Sequence, residues 1–313
     1  MALTAVIAVG GNALIKDGRH TSFEDQYEAI VATSAHIVEL ISQGWRVVLV
    51  HGNGPQVGFS LQRSELARAV VEPVPMDAAV ADTQGTMGYS FQQAIGNLLR
   101  QRQMDCGVAT VLTQVEVDAH DAAFQNPTKP VGFFLDEATA QQRREQDGWQ
   151  VMEDAGRGWR RVVASPKPLQ ILELTLIGQL VHSGACVVCA GGGGVPVVRT
   201  PEGYRGVAAV IDKDLTSSLL ARQLRADLLL ISTGVEKVCL HFGTPKQQEL
   251  SRLTASQARQ HLLEGHFKVG SMKPKIDAGL AFVEKSGGRI VITDAPNISR
   301  AVAGETGTEI LPD

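Results

Sequence analysis

The sequence predicts an α/β protein built on a mostly parallel sheet, and three observations support this fold class. Short apolar runs of high β-propensity alternate with longer amphipathic runs of helical period. A strand, a helix and a second strand at the start of the chain form a βαβ unit, whose crossover is right-handed. Several predicted strands end in glycine, at the sheet edge where α/β proteins bind ligands. The length of 313 residues fits one large α/β domain or two smaller ones.

The first βαβ unit spans the opening 50 residues. Thr4–Val9 is a buried strand, Phe23–Ile41 has apolar residues at helical spacing, and Trp45–Val50 is a second buried strand. Glycines follow both strands, in the sequences GGNAL and HGNGPQVG. We therefore expect Gly10, Gly11, Gly52 and Gly54 at one sheet edge, beside the amides of Asn12 and Asn53.

These two glycine turns have two possible roles. Glycine lets backbone N–H groups approach an anion without an intervening side chain, and recurrence at two strand ends favours this role over simple turns. Neither turn is a GxGxxG fingerprint, and the chain has no GxxxxGK[ST] P-loop. His51 lies at the second turn, where a structural role is more common than a direct one.

The middle of the chain changes in character after three further elements. Pro55–Arg68 and Ala78–Arg102 are predicted helices, and Val108–Val117 is a predicted strand. Residues 119–164 are polar and rich in glycine and charge, with two short strands and one isolated helix, so we predict an inserted lid subdomain. Its Lys129 lies between Thr128 and Pro130, where proline restricts the backbone; a solvated surface role is the alternative.

A run of four glycines follows the next pair of elements. Leu169–Ser183 is a predicted helix, Ala185–Ala190 a strand, and Val195–Val198 with Tyr204–Val207 a hairpin. Consecutive glycines cost conformational entropy, so Gly191–Gly194 must serve a purpose. Cradling of a phosphate by bare backbone is one explanation, and a flexible hinge is the other.

Two lysines stand at predicted helix starts, where the helix dipole disfavours positive charge. Lys213 lies between Asp212 and Asp214 as a strand gives way to a helix, and Lys275 lies in GSMKPKI, near a helix start with Ser271 as N-cap. Two such helix starts indicate a shared anion site. The remaining predicted elements are a strand at Asp227–Ser232, a short strand after GVEK, a helix at Thr254–Leu263, a strand at Arg289–Thr293 and a last strand in GTEI.

Composition and charge argue against several classes of protein. Hydrophobic residues make up 44% and charged residues 20%, which is ordinary for a globular chain, and the net charge of −4 gives no general attraction to nucleic acid or anionic membrane. The apolar start lacks a positive leading segment, and no run is long enough to span a bilayer. We expect no nucleic acid partner, no membrane association and a cytoplasmic location.

Cysteine and histidine spacing gives no evidence of a metal centre. Four cysteines are too few for a disulfide scaffold, which favours a reducing compartment. Cys186 and Cys189 have CxxC spacing but lie in a predicted strand, where they point to opposite faces and pack in the core. The histidines show no HExxH spacing, so the sequence predicts no metal ligand set.

Ordered motifs along almost the whole chain resemble those of carbamate kinases, within the amino acid kinase superfamily. The PTKP and EDAGRGWRRV segments resemble carbamate kinases in particular. The motifs are, in order, GGNAL, HGNGPQVG, ADTQG, PTKPVG, EDAGRGWRRVVASP, AGGGGVPV, VIDKDL, GVEKV, GSMKPKI and GTEI.

The resemblance implies a fold and an activity. The fold is a three-layer αβα sandwich, one amino acid kinase-like domain over residues 1–313, with 119–164 as its protruding lid. The activity is reversible phosphoryl transfer between ATP and carbamate, with Mg²⁺ bound and ADP as the other nucleotide. A homodimer and a place in arginine metabolism are implied as well.

The resemblance also assigns roles to residues. Lys213 would contact the transferred phosphoryl group, and Lys275 would contact the nucleotide phosphates. Asp214 would orient both lysines, while Asp212 would only cap its helix. Lys129 would close over the carbamoyl end. The phosphoryl path would be lined by Gly10, Gly11, Asn12, Gly52, Asn53, Ser165, Gly191, Gly192 and Gly193. The nucleotide would lie near Thr233, Gly234, Val235, Val238, Met272 and Lys275.

One position departs from the family pattern. Relatives usually carry an aspartate after the threonine of this loop, where the chain has Gly234, which leaves nucleotide preference open. Two alternative functions remain: a kinase of the same fold acting on another small carboxylate, and a catalytically weak sensor of carbamoyl phosphate or nucleotide. The PTKP segment argues against the first, and the retained lysines argue against the second.

Overall fold

The structure is a computed structural model, and it describes residues 2–11, 14, 20–154, 156–268 and 271–313. Asn12, predicted above as a binding residue, lies outside these ranges. The strands are β1 (Thr4–Val9), β2 (Arg46–His51), β3 (Val108–Val111), β4 (Gln114–Val117), β5 (Lys129–Leu135), β6 (Gln150–Glu153), β7 (Trp159–Val163), β8 (Pro168–Ile171), β9 (Cys186–Cys189), β10 (Val195–Thr200), β11 (Gly203–Gly206), β12 (Leu228–Thr233), β13 (Val238–Leu240), β14 (Gln248–Leu250), β15 (Arg252–Thr254), β16 (Arg289–Asp294) and β17 (Thr308–Leu311).

Most of the predicted helices are present within a few residues of their predicted bounds. The helices are α1 (Phe23–Ser42), α2 (Gly54–Ala67), α3 (Met76–Gln101), α4 (Glu137–Asp147), α5 (Leu174–His182), α6 (Lys213–Gln223), α7 (Ala255–Leu263), α8 (Met272–Ser286) and α9 (Ile298–Val302). Ser271 occupies the N-cap position of α8 as predicted, but its side chain makes no capping hydrogen bond.

The central sheet has eight strands in the order β15-β17-β16-β12-β1-β2-β9-β3. All neighbouring pairs are parallel except β16 with β17. Strand β1 lies between β2 and β12, so the chain reverses its direction of winding there. The carboxyl ends of β12, β1, β2 and β9 therefore lie side by side, which is where a doubly wound sheet opens a crevice for ligands.

Both faces of this sheet are covered by helices, which confirms the αβα sandwich. Along β1, Val6 and Ala8 belong to one apolar core, and Ala5, Ile7 and Val9 to the other, as the two-residue period of a strand requires. Helices α5 to α8 contribute to the first core and α1, α3 and α9 to the second.

The two cysteines of the CxxC sequence pack in different cores, as predicted. Cys189 lies in the first core and Cys186 in the second, and both are buried. Burial disfavours the thiolate and raises the pKa of both thiols, so they are poor nucleophiles.

Two predicted elements were wrong in their bounds. The predicted strand Val108–Val117 is two strands, because the backbone of Thr113 bonds to the Gln84 side chain and the chain then enters a different sheet. The predicted helix Leu169–Ser183 begins only at Leu174. Its first residues form β8, which pairs antiparallel with β4, and edge pairing overrides the helical period of the apolar residues.

Residues 119–164 contain a separate antiparallel sheet, in the order β5-β7-β6, and helix α4. Strand β5 was not predicted. Arg68 of α2 binds Asp147 of α4 through two hydrogen bonds of 2.8 and 2.7 Å, and Arg143 of α4 pairs with Glu65. These half-buried ion pairs attach α4 to the main body.

A search of the described helices finds none long and apolar enough to cross a membrane.

A substitution at Thr113 tests the link between the two sheets. Its hydroxyl accepts a hydrogen bond from the Ala190 N–H at 2.9 Å and donates to the Val111 carbonyl at 2.7 Å. Because Thr113→Val leaves a buried N–H unpaired, we expect the free energy of unfolding to fall by about 1–3 kcal/mol.

The matched control is Thr110→Val, two residues after the start of β3. The Thr110 hydroxyl is buried and has no hydrogen-bond partner among the described residues, so its loss should change stability little or increase it. Urea denaturation followed by circular dichroism measures both variants. Equal losses in the two would contradict the assigned role of Thr113.

Candidate active site

The backbones of the central strand ends approach one another so closely that side chains are excluded. A Cβ built on Gly52 would lie 3.1 Å from the Gly10 carbonyl carbon, and one on Gly10 would lie 3.3 Å from the Ser232 carbonyl oxygen. The Gly52 N–H donates to the Val9 carbonyl at 2.8 Å, which continues the β1–β2 ladder past the strand ends. The same Cβ on Gly52 would lie only 2.8 Å from Gly11 Cα, so glycine is required at Gly52, whereas the contact at Gly10 is tight.

A cavity of about 360 Å³ opens at this edge. It brings together most of the residues predicted from the sequence. The lining residues are Gly10, Gly11, Gly52, Asn53, Gly54, Lys129, Gly192, Val210, Ile211, Asp212, Lys213, Asp214, Ser232, Thr233, Gly234 and Lys275.

A carboxylate held between two lysines is the charged centre of the cavity. Asp214 Oδ1 accepts a hydrogen bond from Lys213 Nζ at 2.6 Å, and Oδ2 accepts one from Lys275 Nζ at 2.8 Å. Lys213 and Asp214 lie in the first turn of α6, and Lys275 lies in the first turn of α8. The side chain of Asp214 is only 5% exposed, and the lysines are 12% and 17% exposed.

The cluster is held together by charge in a buried setting. Burial alone would raise the pKa of Asp214, but the positive charges of Lys213 and Lys275 outweigh it and lower this pKa to about 2. Asp214 is therefore ionised at neutral pH. Two ammonium groups and one carboxylate leave the cluster with a net charge of +1, and the N-termini of α6 and α8 add positive potential. This arrangement favours an anion in the cavity.

Asp212 does more than cap its helix, which corrects the prediction. One carboxylate oxygen accepts from the Asp214 N–H at 3.0 Å, as an N-cap should. The other accepts from Lys129 Nζ at 3.3 Å, so it ties the first residue of β5 to the start of α6. Residues 119–164 thus reach the cavity through one ion pair. The Lys129 side chain is 38% exposed, in keeping with a position at the mouth.

The glycine run after β9 is a tight turn that fits its surroundings. Gly192, Gly193 and Gly194 have φ of 67°, 102° and 91°, a region that favours glycine. A Cβ on Gly192 would overlap the Asn53 side chain, and one on Gly193 would lie 2.6 Å from the Ile211 carbonyl oxygen. Close packing explains the glycines better than a flexible hinge does. Among Gly191 to Gly193, only Gly192 lines the cavity.

His51 takes a structural position. Its ring is 1% exposed, stacks on Phe91 and lies 3.1 Å from the Gly52 carbonyl oxygen through Nδ1. A carbonyl only accepts, so Nδ1 carries the proton. Burial lowers the pKa of His51 to about 4, and the ring is neutral at neutral pH. His51 therefore packs between Phe91 and the glycine turn at Gly52.

Several predicted binding residues lie outside the cavity lining. Val238 is fully buried, and its N–H donates to Thr308 at 2.8 Å. The others are Ser165, Gly191, Gly193, Val235 and Met272.

Three further residues line the cavity that were not predicted from the sequence: Val210, Ile211 and Ser232. Their position offered a signal, since Ser232 lies at the end of β12 and the other two directly precede Asp212.

Comparisons with known proteins agree with this architecture. Residues 4–294 match the amino acid kinase family. The chain is 46% identical to the carbamate kinase of Pyrococcus furiosus, with 100% of each chain covered. It is 49% identical to the carbamate kinase-like protein YahI of Escherichia coli, with 98% of each chain covered. The solved structure of a Giardia lamblia carbamate kinase bound to AMP-PNP is similar with a TM-score of 0.95 and 38% identity, covering 100% of this chain and 99% of that one.

Removal of the central charge tests how the two lysines are held. Asp214→Asn leaves two buried ammonium groups without their carboxylate, and we expect the free energy of unfolding at neutral pH to fall by about 3–5 kcal/mol. The pKa of Asp214 is lower in the folded protein than in the unfolded chain, so its contribution is present above about pH 4 and lost as pH falls toward about 2. The difference between the wild type and the variant should shrink over that interval.

The control for this substitution is Asp277→Asn. Asp277 pairs with Lys273 at 2.9 Å, but both side chains are 42% exposed, so its loss should cost less than about 1 kcal/mol at any pH. Urea unfolding at neutral and at acidic pH measures both. A small effect of Asp214→Asn at neutral pH would show that the lysines do not need their carboxylate.

Proposed function

The chain belongs to the amino acid kinase family, and from this premise we propose that it is a carbamate kinase. Such an enzyme transfers a phosphoryl group reversibly between carbamoyl phosphate and ADP, which gives carbamate and ATP. Full-length similarity to carbamate kinases from several organisms supports the assignment. The single structural observation that carries it is the buried Lys213–Asp214–Lys275 cluster at the glycine-lined strand ends.

The reaction depends on positive charge in the site more than on acid–base groups. Both possible nucleophiles, the terminal phosphate oxygen of ADP and the carbamate oxygen, are already anionic, so no proton has to be removed. The transferred group spreads negative charge over three equatorial oxygens, which fixed ammonium groups and backbone N–H groups stabilise. An ionised Asp214 suits this role, because it orients cations and takes no part as a base.

Asp214 fixes the distance between the two cations. Each of its oxygens binds one lysine, so Lys213 and Lys275 stand on opposite sides of one carboxylate. We assign Lys213 to the transferred phosphoryl group and the acyl oxygen, and Lys275 to the nucleotide phosphates. The bare backbone at Gly10, Gly11, Gly52 and Gly192 lets the phosphoryl group approach the N–H groups.

Lys129 is proposed to act on the carbamoyl end. It belongs to β5 of the 119–164 subdomain, which we propose acts as a lid, and its Nζ already lies at the cavity beside Asp212. A cation at the mouth suits the carbonyl oxygen or leaving oxygen of the acyl group. Asp212 holds this lysine toward the centre of the site.

The nucleotide is proposed to lie beside Thr233 and Gly234, which line the cavity next to Lys275. A Cβ on Gly234 would meet no atom within 4 Å, so close packing does not require glycine at this position. Mg²⁺ would enter with the nucleotide. Both lining carboxylates, Asp212 and Asp214, already bind lysines, so phosphate oxygens and water would be the main ligands, as is common for this ion.

Assembly, location and metabolic role are further parts of the proposal. A homodimer, the cytoplasm and arginine metabolism all follow from the resemblance to carbamate kinases. The described cysteines are free, in keeping with a reducing compartment. Light scattering coupled to size exclusion would test the dimer.

The activity is tested by ATP formation from ADP and carbamoyl phosphate, with acetyl phosphate as the control donor. We expect carbamoyl phosphate to be strongly preferred. Preference for acetyl phosphate would favour a same-fold kinase of another carboxylate, and absence of ATP formation by folded protein with Mg²⁺ would favour a sensor.

Lys213→Ala tests the assignment of the central cation. Loss of one charge that stabilises the transition state costs about 3 kcal/mol or more, so kcat should fall at least about a hundredfold. Lys273→Ala is the matched control. It removes a lysine from the same turn as Lys275 that is exposed and pairs with Asp277, and kcat should stay within about twofold of wild type. Near wild-type turnover by Lys213→Ala would refute the assigned role.

Lys129→Ala tests the proposed lid residue. If Lys129 contacts the carbamoyl end, the KM for carbamoyl phosphate should rise about tenfold or more while the KM for ADP changes little. Lys167→Ala, an exposed lysine just past the subdomain, serves as the control. An equal rise in both KM values would instead indicate a general effect on cavity closure.

A further inference from the structure

Two histidines and a glutamate meet at the end of α7, on a surface separate from the lysine cavity. Glu264 Oε2 lies 3.2 Å from His261 Nδ1 and 3.3 Å from His266 Nε2. The three candidate ligand atoms lie within 4.8 Å of one another. Among the described residues this is the one group of three or more histidine, cysteine, aspartate or glutamate side chains with that property.

The backbone at the end of the helix produces this convergence. The His266 N–H donates to the His261 carbonyl and the Gly265 N–H donates to the Leu262 carbonyl, each at 3.1 Å. Gly265 has a φ of 77°, so this is a Schellman motif with glycine in the left-handed position. The motif normally brings two apolar side chains together at the positions of His261 and His266. Here those positions carry imidazoles, with the C-cap glutamate between them.

The spacing suits a tetrahedral metal ion. Nitrogen and oxygen ligands about 2.0–2.1 Å from Zn²⁺ at tetrahedral angles lie about 3.3 Å apart, which matches both measured separations. We propose that His261, Glu264 and His266 bind a divalent transition metal ion of borderline softness, with Zn²⁺ the best fit, and leave a fourth position for water. Imidazole and carboxylate ligands suit this class better than Mg²⁺, which prefers oxygen alone.

Neighbouring side chains orient the ligands as an outer shell would. Gln260 Nε2 donates to the other oxygen of Glu264 at 2.8 Å, which turns Oε2 toward the histidines. The ring of His241 packs edge-on against that of His266, with centroids 4.6 Å apart and planes at 88°. Two of the three ligands are therefore positioned by contacts outside the set.

An ion pair between protonated histidines and Glu264 is the competing explanation. It would place two imidazolium groups on one carboxylate oxygen, with their rings 5.5 Å apart at the centroids. The ion pair requires a proton on the ring nitrogen that faces Glu264, whereas metal binding requires that nitrogen to be unprotonated.

A metal ion at this site would stabilise the folded protein and hold the residues that follow His266. None of its residues lines the lysine cavity. The segment after His266 leads to Lys268, whose carbonyl accepts from the Lys273 N–H at 3.1 Å, in the first turn of the helix that carries Lys275. A bound ion would hold the C-terminus of α7 to this segment. An ion that binds only the folded chain stabilises it by RT ln(1 + [M]/Kd), and its thermal midpoint therefore rises with the ion concentration.

The test uses full-length protein without a histidine tag, stripped with chelator and free of nucleotide, at about pH 7.5, where imidazoles are largely neutral. Co²⁺ is titrated and its visible absorption recorded, since tetrahedral Co²⁺ absorbs far more strongly than octahedral; Zn²⁺ then competes for the site. Thermal unfolding is measured with and without Zn²⁺. The variants are His266→Ala and Glu264→Gln, and the control is His182→Ala, an exposed histidine at the end of α5.

The wild type and His182→Ala should give the tetrahedral spectrum at one Co²⁺ per chain, lose it to Zn²⁺, and unfold at a higher temperature with Zn²⁺. His266→Ala should bind at least about a hundredfold more weakly, since even outer-shell changes cost 10–100-fold, and its midpoint should not respond to Zn²⁺. An octahedral spectrum, or equal Zn²⁺ affinity in the wild type and His266→Ala, would overturn the proposal and leave the ion pair as the explanation.

Discussion

The site depends on one buried carboxylate with a lysine on each oxygen. Neither lysine would be stable alone at the N-terminus of a helix in a buried setting, because the helix dipole and the loss of solvation both oppose the charge. Asp214 offsets both costs, and its pKa of about 2 shows how strongly the pair of cations holds it ionised. The same carboxylate fixes the geometry of the two cations, so one residue supplies both the electrostatic stability of the cluster and the arrangement that we propose for catalysis.

The sheet provides the place for that cluster. Four parallel strands end side by side, and their backbones come close enough that only glycine fits at Gly52 and that little space is left beside Gly10. This close approach leaves glycine backbone, without side chains, along part of the cavity wall. In the function that we propose, strand-end glycines and two lysines take the place of a P-loop in binding phosphate, and the helices of both lysines start at the same edge.

Connections between parts of the molecule run through a few polar contacts. Asp212 caps α6 and binds Lys129, so the start of α6 and the first strand of residues 119–164 share one carboxylate. Thr113 joins the end of β3 to the glycine turn after β9. The histidine cluster lies at the C-terminal end of α7. The next helix along the chain, α8, carries the Lys275 that binds Asp214.

The local sequence pattern alone predicted the strands with their glycine ends and most helices. It also predicted a charged site at Lys213, Asp214 and Lys275. Each of these signals lies within a few consecutive residues. The ordered motifs along the chain predicted its membership of the amino acid kinase family. Tertiary structure decided what depends on partners distant in the chain. Val108–Val117 divides because of Gln84, and Pro168–Ile171 becomes a strand because β4 offers an edge. Asp212 meets Lys129 across 83 residues, and Lys275 meets Asp214 across 61. The histidine cluster was missed for a related reason: a turn beyond the helix end brings His266 back to His261, and no helical spacing describes it.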